Sequence, residues 1–232
     1  MSTGLFLGVL CVFVFECSQS MTGKFITFEG PEGSGKSTQI RLLAEKLEAQ
    51  RIEVSCSREP GGTATGEAIR NILQHDAVDE CLEERAELLL FTASRAQLMK
   101  QVILPALEQG QWMLCDRFID STMAYQGFAR GMDIDTLDRI NDFAIQGRKP
   151  DLTLLLDLDI ERGFERLEDR YANGAGAADR FEREARDFHH RVREGYQQLA
   201  QREPNRFRIV NSDRPIETVS DEIWNLVKEA LL

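Results

Sequence analysis

Apolar positions along the chain follow two rhythms. Short apolar runs at Phe25, Ile26 and Phe28, and then at residues 52–56, 112–116, 152–158 and 207–210, predict five strands. Between them apolar residues recur at helical spacing, first at Ile40, Leu43, Ala44 and Leu47, then over residues 65–74, 82–104, 134–145, 160–171, 183–201 and 216–231. Several of the strands are apolar on both faces, as buried parallel strands are when helices cover each side of the sheet. The expected class is α/β, a three-layer α/β/α arrangement around a five-stranded parallel sheet. Ligands of such sheets bind beyond the carboxyl ends of the strands, so the residues that follow each strand are where chemistry is sought.

The first strand is followed by "GPEGSGKST", the residues Gly30, Pro31, Glu32, Gly33, Ser34, Gly35, Lys36, Ser37 and Thr38. Glycines let successive backbone N–H groups curl around an anion while the following helix points its positive dipole end at the same spot. Lys36 can then reach the outer phosphates of a nucleotide, and the Ser37 hydroxyl can ligate an accompanying magnesium ion. The second strand leads into "SREPGGT", with Arg58 and Glu59 before a Pro-Gly-Gly turn. The third ends in Asp116 and Arg117, and the fourth carries Asp157 and Asp159. Pattern alone leaves both Asp116 and Asp157 open as the carboxylate that orients magnesium-bound water. An arginine beside Asp116 favours that position, because a guanidinium there suits a phosphate brought near the metal. Phe91 and Arg95 lie four residues apart on one helix, so a ring that stacks on a nucleobase and a donor to its edge share a face; an ordinary core phenylalanine is the alternative.

Composition narrows the partners. The 232 residues, 42% of them hydrophobic, suffice for one sizeable core, and no linker divides residues 21–232, which are expected to form one domain. With 28 basic against 39 acidic residues the net charge is −11, which repels a nucleic acid and suits a small charged ligand. The five cysteines, Cys11, Cys17, Cys56, Cys81 and Cys115, form no C-x-x-C pair and suit a reducing cytoplasm. "LFLGVLCVFVF" has no basic residue before it and is too short to span a bilayer, so no membrane partner is expected. Since the phosphate-binding strand begins just after Met21, residues 1–20 are expected to be a dispensable apolar extension.

Taken in order, "FEGPEGSGKST", "REPGGT", "FTASRAQ", "DRFIDSTMAYQG" and "RKPDLTLLLDL" resemble the bacterial thymidylate kinase (dTMP kinase) family, and the resemblance runs from Met21 to the C-terminus. It implies transfer of the γ-phosphoryl group of ATP to dTMP, giving dTDP for dTTP synthesis and DNA replication. It also implies Mg2+, a P-loop NTPase fold of the nucleoside monophosphate kinase kind, and a homodimer. By that resemblance Gly30 to Thr38 bind ATP, Glu32 meets the acceptor sugar's 3′-hydroxyl, and Arg58 and Arg117 hold the acceptor phosphate. Phe91 stacks on the base, Arg95 donates to a thymine carbonyl, Ser121 and Gln126 make polar base contacts, and Tyr125 crowds the 2′ position. Ser37 and Asp116 belong to the magnesium site. Lys36, Arg117 and Glu32 are expected at the reacting groups, with a basic lid at about residues 166–182 supplying further arginines from Arg166, Arg170 and Arg180. Here the chain departs from the pattern, because no basic residue lies between Tyr171 and Asp179. Competing readings are a kinase for another monophosphate or a deoxynucleoside, and a nucleotide-dependent switch. The second lacks the N-K-x-D element that a guanine-reading switch would carry.

Overall fold

The computed structural model describes residues 23–74, 82–174 and 178–232. Its strands are β1 (Phe25–Glu29), β2 (Val54–Arg58), β3 (Trp112–Asp116), β4 (Leu152–Asp157) and β5 (Phe207–Asn211), all parallel in one sheet of order β2-β3-β1-β4-β5. The helices are α1 (Lys36–Ala49), α2 (Ala64–Gln74), α3 (Glu84–Leu98), α4 (Leu104–Glu108), α5 (Ile119–Thr122), α6 (Ile134–Ile145), α7 (Ile160–Ala172), α8 (Arg186–Arg202) and α9 (Ile216–Leu231).

The side-chain alternation of the strands builds the layers. Ile26 and Phe28 of β1, with Leu114 and Leu154, pack beneath Leu43 and Leu47 of α1 and Ile223 and Val227 of α9. The intervening Phe25, Met113 and Cys115 meet Leu98 of α3 and Leu107 of α4 on the other side, where Leu155 and Phe207 also meet Val192 and Leu199 of α8. Each such large side chain contributes roughly 1.5–3 kcal/mol on burial. From β1 the chain passes over β3's place to β2, and later adds β4 on β1's other flank. The strand order therefore reverses at β1, which opens a crevice at the carboxyl ends of β1 and β3.

Several boundaries differ from those the sequence predicts. The second strand starts at Val54 and runs to Arg58, because the Ile52 N–H is taken by Leu47 O at the end of α1 (3.1 Å) while Arg58 pairs with Asp116. The expected helix over 82–104 is α3 and α4 joined by a π-helical stretch, Met99–Ile103. The wider turn accommodates Pro105, which lacks an N–H and crowds the preceding turn of an α-helix. The fourth strand stops at Asp157, and the helix expected from residue 183 starts at Arg186. Residues 119–129, which carry no helix in the apolar spacing, form α5 and a second π-helical stretch, Met123–Ala129. Residues 1–20 and Cys11, Cys17 and Cys81 lie outside the described residues; Cys56 and Cys115 are free thiols. Among the described residues no helix is long and apolar enough to cross a membrane.

Candidate active site

A cavity of about 760 Å³ opens at the carboxyl ends of β1, β2 and β3 and is lined by the loop residues Glu32 to Thr38. Two glycines make the loop possible. Gly33 has φ +71°, and a Cβ there would stand 2.4 Å from the Gly163 carbonyl oxygen of α7; Gly35, at φ +86°, caps α1 and has open space where a Cβ would be. The loop is thus seated on α7 at one point and leaves room at the N-terminus of α1, where an anion is favoured. Lys36 Nζ donates to Gly30 O (3.1 Å), Pro31 O (3.0 Å) and Ser34 Oγ (3.3 Å), which holds the ammonium across the loop. Burial, and then Arg117, pull the Lys36 pKa below its usual value. Ser37 Oγ donates to Asp116 Oδ2 at 2.8 Å. Asp157, the other carboxylate left open by the pattern, is instead held by Arg193 of α8 at 2.8 and 3.0 Å.

Arg117 joins this loop to the opposite wall. It is left-handed, φ +66°, a costly conformation for arginine that is pinned by a hydrogen bond from its N–H to Phe28 O (2.9 Å). Its guanidinium donates to Glu32 Oε1 (2.5 Å), Gly30 O (3.1 Å) and Tyr196 OH (3.0 Å), and its carbon lies 5.2 Å from the centre of the Tyr125 ring. Burial raises the Glu32 carboxyl, but Arg117, Lys36 and the Tyr125 hydroxyl (2.9 Å) outweigh it and bring its pKa to about 2.

Beneath Arg117 lies Glu29, which accepts from Phe118 N (2.7 Å), Ser121 Oγ (2.6 Å) and Tyr196 OH (3.0 Å). Burial, reinforced by Asp120, pushes its pKa up to about 7 against the opposing pull of Ser121, Arg117 and Phe118 N. Its folded pKa lies above the unfolded value of 4.5, so the native state binds more protons in that interval and loses stability as pH rises through it. Glu29→Gln is expected to remove this loss, so the wild-type melting temperature, relative to the variant's, falls between about pH 5 and about pH 7.5. Glu32 acts oppositely and lower, its contribution being lost as pH falls from 4.5 towards 2. Calorimetry at several pH values checks the assignment, and parallel curves for the two proteins would place the proton elsewhere.

At the carboxyl end of β2 Arg58 is held by both carboxylate oxygens of Glu67 of α2 (2.8 and 2.9 Å). Arg95 is 1% exposed and ion-paired to Glu59 (2.6 Å); it also donates to Asn141 (2.6 Å), Thr122 (2.9 Å) and Phe118 O (3.2 Å). Both Arg95 and Phe91 line the cavity, and the Phe91 ring packs 5.7 Å from that of Phe181. Ser121, on α5, lines it too, as do Tyr125 and Gln126, consecutive residues that the following π-helical stretch turns inward.

The three arginines expected in a lid divide. Arg166 donates to Gly33 O (3.2 Å) and Ser212 O (3.1 Å), and Arg170 to Glu182 (2.8 Å); both line the cavity. Arg180, expected at the phosphates, is off the cavity wall: its guanidinium goes to Leu73 O at the end of α2 (2.9 Å) and to the buried Glu87 of α3 (2.6 Å). A buried carboxylate together with a helix-terminal carbonyl is a strong attractor for that group. Sequence reasoning missed Arg70, which reaches Pro60 O (2.9 Å) from α2 at the cavity edge; burial, then Arg58, lowers its pKa. Its spacing from Glu67 and Gln74 along one helix face was the available signal. Tyr196 and Glu87 carried none, since they act from α8 and α3, far in sequence from what they hold.

Residues 28–223 match the thymidylate kinase family model. Thymidylate kinase of Pelotomaculum thermopropionicum is 50% identical over 211 residues, covering 91% of this chain and 95% of its own length. That of Halothermothrix orenii is 48% identical over 212 residues, covering 91% and 100%. The crystal structure of thymidylate kinase from Ehrlichia chaffeensis superposes with a TM-score of 0.70 at 35% identity, covering 88% of this chain and 98% of that one. With the phosphate loop, the parallel sheet and the arginine-lined crevice in one place, these likenesses show that the chain belongs to the thymidylate kinase family.

Proposed function

We propose that the protein transfers the γ-phosphoryl group of ATP to dTMP, giving dTDP and ADP, in the cytoplasm. The observation that carries the reading is Arg117, which touches the phosphate loop at Gly30 and Glu32 while lining the same cavity as Phe91, Arg95 and Gln126. ATP phosphates sit on the loop from Glu32 to Thr38, with Lys36 and the N-terminus of α1 meeting their charge. Arg117 and Arg58 exchange their acidic partners, Glu32 and Glu67, for the acceptor phosphate, which frees Glu32 to meet the sugar hydroxyl. Tyr125 limits room at the 2′ position. The Ser37 hydroxyl and the Asp116 carboxylate offer hard oxygen donors side by side, a set that fits magnesium; when bound, the ion neutralises phosphate charge. Arg166 and Arg170 close over the loop and exclude water that would otherwise hydrolyse ATP.

The test is ADP formation by protein starting at Met21, with ATP, magnesium and a panel of dTMP, dUMP, UMP, CMP, dGMP and thymidine. Turnover with dTMP well above the rest is expected. An acceptor-independent rate would sink the reading.

The family resemblance to homodimers is supported by three adjacent helices. Ile72 of α2, Leu89 of α3 and Phe143 of α6 are exposed, Phe143 at 85%, while α3 packs against both other helices. We infer that a second copy covers this face. Sedimentation of wild-type protein is expected to give a dimer, and the Leu89→Glu, Phe143→Glu double variant a monomer; a wild-type monomer would exclude the interface.

A further inference from the structure

We propose that Glu87 is a positioning residue that fixes the Gln126 amide with its carbonyl towards the acceptor base, so that the site selects a pyrimidine carrying a proton on N3. This rests on the reading of the cavity as the dTMP site. Gln126 is 1% exposed, lines the cavity, and donates from Nε2 to Glu87 Oε1 at 2.8 Å. Glu87 is equally buried and takes three further contacts: Oε1 accepts from Arg130 Nε (3.0 Å), and Oε2 from Arg130 Nη2 (3.2 Å) and Arg180 Nη2 (2.6 Å). A carboxylate accepts and does not donate, so only the amide's NH2 end can face it. The two guanidinium groups balance its charge and hold it from both sides, which denies the carboxylate an alternative pose. The carbonyl oxygen of Gln126 is then the end left for the cavity.

Arg95 supplies the complementary group on the same wall. Its Nε and Nη2 donate to Glu59, Thr122 and Phe118 O, and Nη1 gives one N–H to Asn141, which leaves the other Nη1 N–H uncommitted. One acceptor and one donor match the imide edge of thymine or uracil, whose N3–H donates and whose O4 accepts. Cytosine offers the reverse pattern, an N3 acceptor beside an amino donor. Were the Gln126 amide free to turn, its NH2 could serve an N3 acceptor and half of the discrimination would disappear. Because Arg180 roots the segment after α7 on the same carboxylate, and Arg130 ties Glu184 to it (2.9 Å), the lid root and the base reader share one anchor.

The test compares kcat/KM for dTMP and dCMP in Glu87→Gln, Glu87→Asp and Gln126→Leu proteins, with melting temperature and the KM for ATP followed in each. Glu87→Gln replaces the acceptor by an amide that can accept or donate, and Glu87→Asp keeps the charge for both arginines but shortens the reach to Gln126. In both, the dTMP to dCMP ratio is expected to fall about tenfold, through the KM for dTMP and with the KM for ATP unchanged. Glu87→Asp carries the test if the neutral variant fails to fold. A wild-type ratio in a folded Glu87 variant, with a reduced ratio in Gln126→Leu, would overturn the role of Glu87 while leaving Gln126 at the base. A wild-type ratio in Gln126→Leu as well would overturn the placement of the base itself.

Discussion

Lys36→Ala is expected to lower kcat for dTMP phosphorylation by about three orders of magnitude, with a far smaller change in melting temperature. The side chain is held across the loop by three acceptors, Gly30 O, Pro31 O and Ser34 Oγ, so its charge is in place before a nucleotide arrives. Such a charge costs little reorganisation when negative charge spreads over the oxygens of the moving phosphoryl group, and in a water-excluded site it is worth several kcal/mol there. The resting contacts all lie within the loop, and the close approach of Gly33 to Gly163 of α7, which seats the loop, does not depend on them. Stopped assays at saturating ATP and dTMP, with thermal melting alongside, check both halves. A variant with near-normal kcat would show that the loop binds but does not stabilise the transition state. A variant that merely melts early would place Lys36 in the fold.

The strands and the phosphate loop were legible because their signals are local. Five apolar runs gave the five strands to within two residues, and Gly33 and Gly35 stand where positive φ angles are needed. The π-helical turns at Met99 and Met123 were not, since they answer to Pro105 in one case and in the other to tertiary packing of Gly127 under Ile134 and Leu137. Individual wall residues were legible through the resemblance, yet their resting partners were not. Arg58 with Glu67 is a short-range pair, but Arg117 with Glu32, Arg180 with Glu87 and Tyr196 with Glu29 each bridge distant parts of the chain. Both arginines proposed for the acceptor phosphate, Arg58 and Arg117, are held by a carboxylate. Substrate must therefore compete with an internal anion, which keeps the guanidinium groups ordered and makes their release part of binding.

Arg95→Ala is expected to damage both fold and recognition, and the two losses can be separated. Glu59 is 5% exposed and its pKa is raised by burial in spite of Arg95, so removing the guanidinium strands a buried carboxylate. Breaking a buried pair from one side costs about 3–5 kcal/mol, and Asn141, Thr122 and Phe118 O lose their donor as well. The loss should show as a large fall in melting temperature without substrate. Recognition is expected to fail for a different reason: in the proposed reading the remaining Nη1 N–H is the donor offered to the base, and a buried carbonyl left without one lowers kcat/KM for dTMP about a hundredfold. Pairing Arg95→Ala with Glu59→Gln neutralises the stranded charge. The double variant should regain a substantial part of the melting temperature and none of the dTMP selectivity, with the KM for ATP near that of wild type throughout. If dTMP use returned together with stability, Arg95 would act only by tying α3 to Glu59 after β2, to α5 and to α6. Selectivity that stays lost in a stable double variant places its guanidinium at the base.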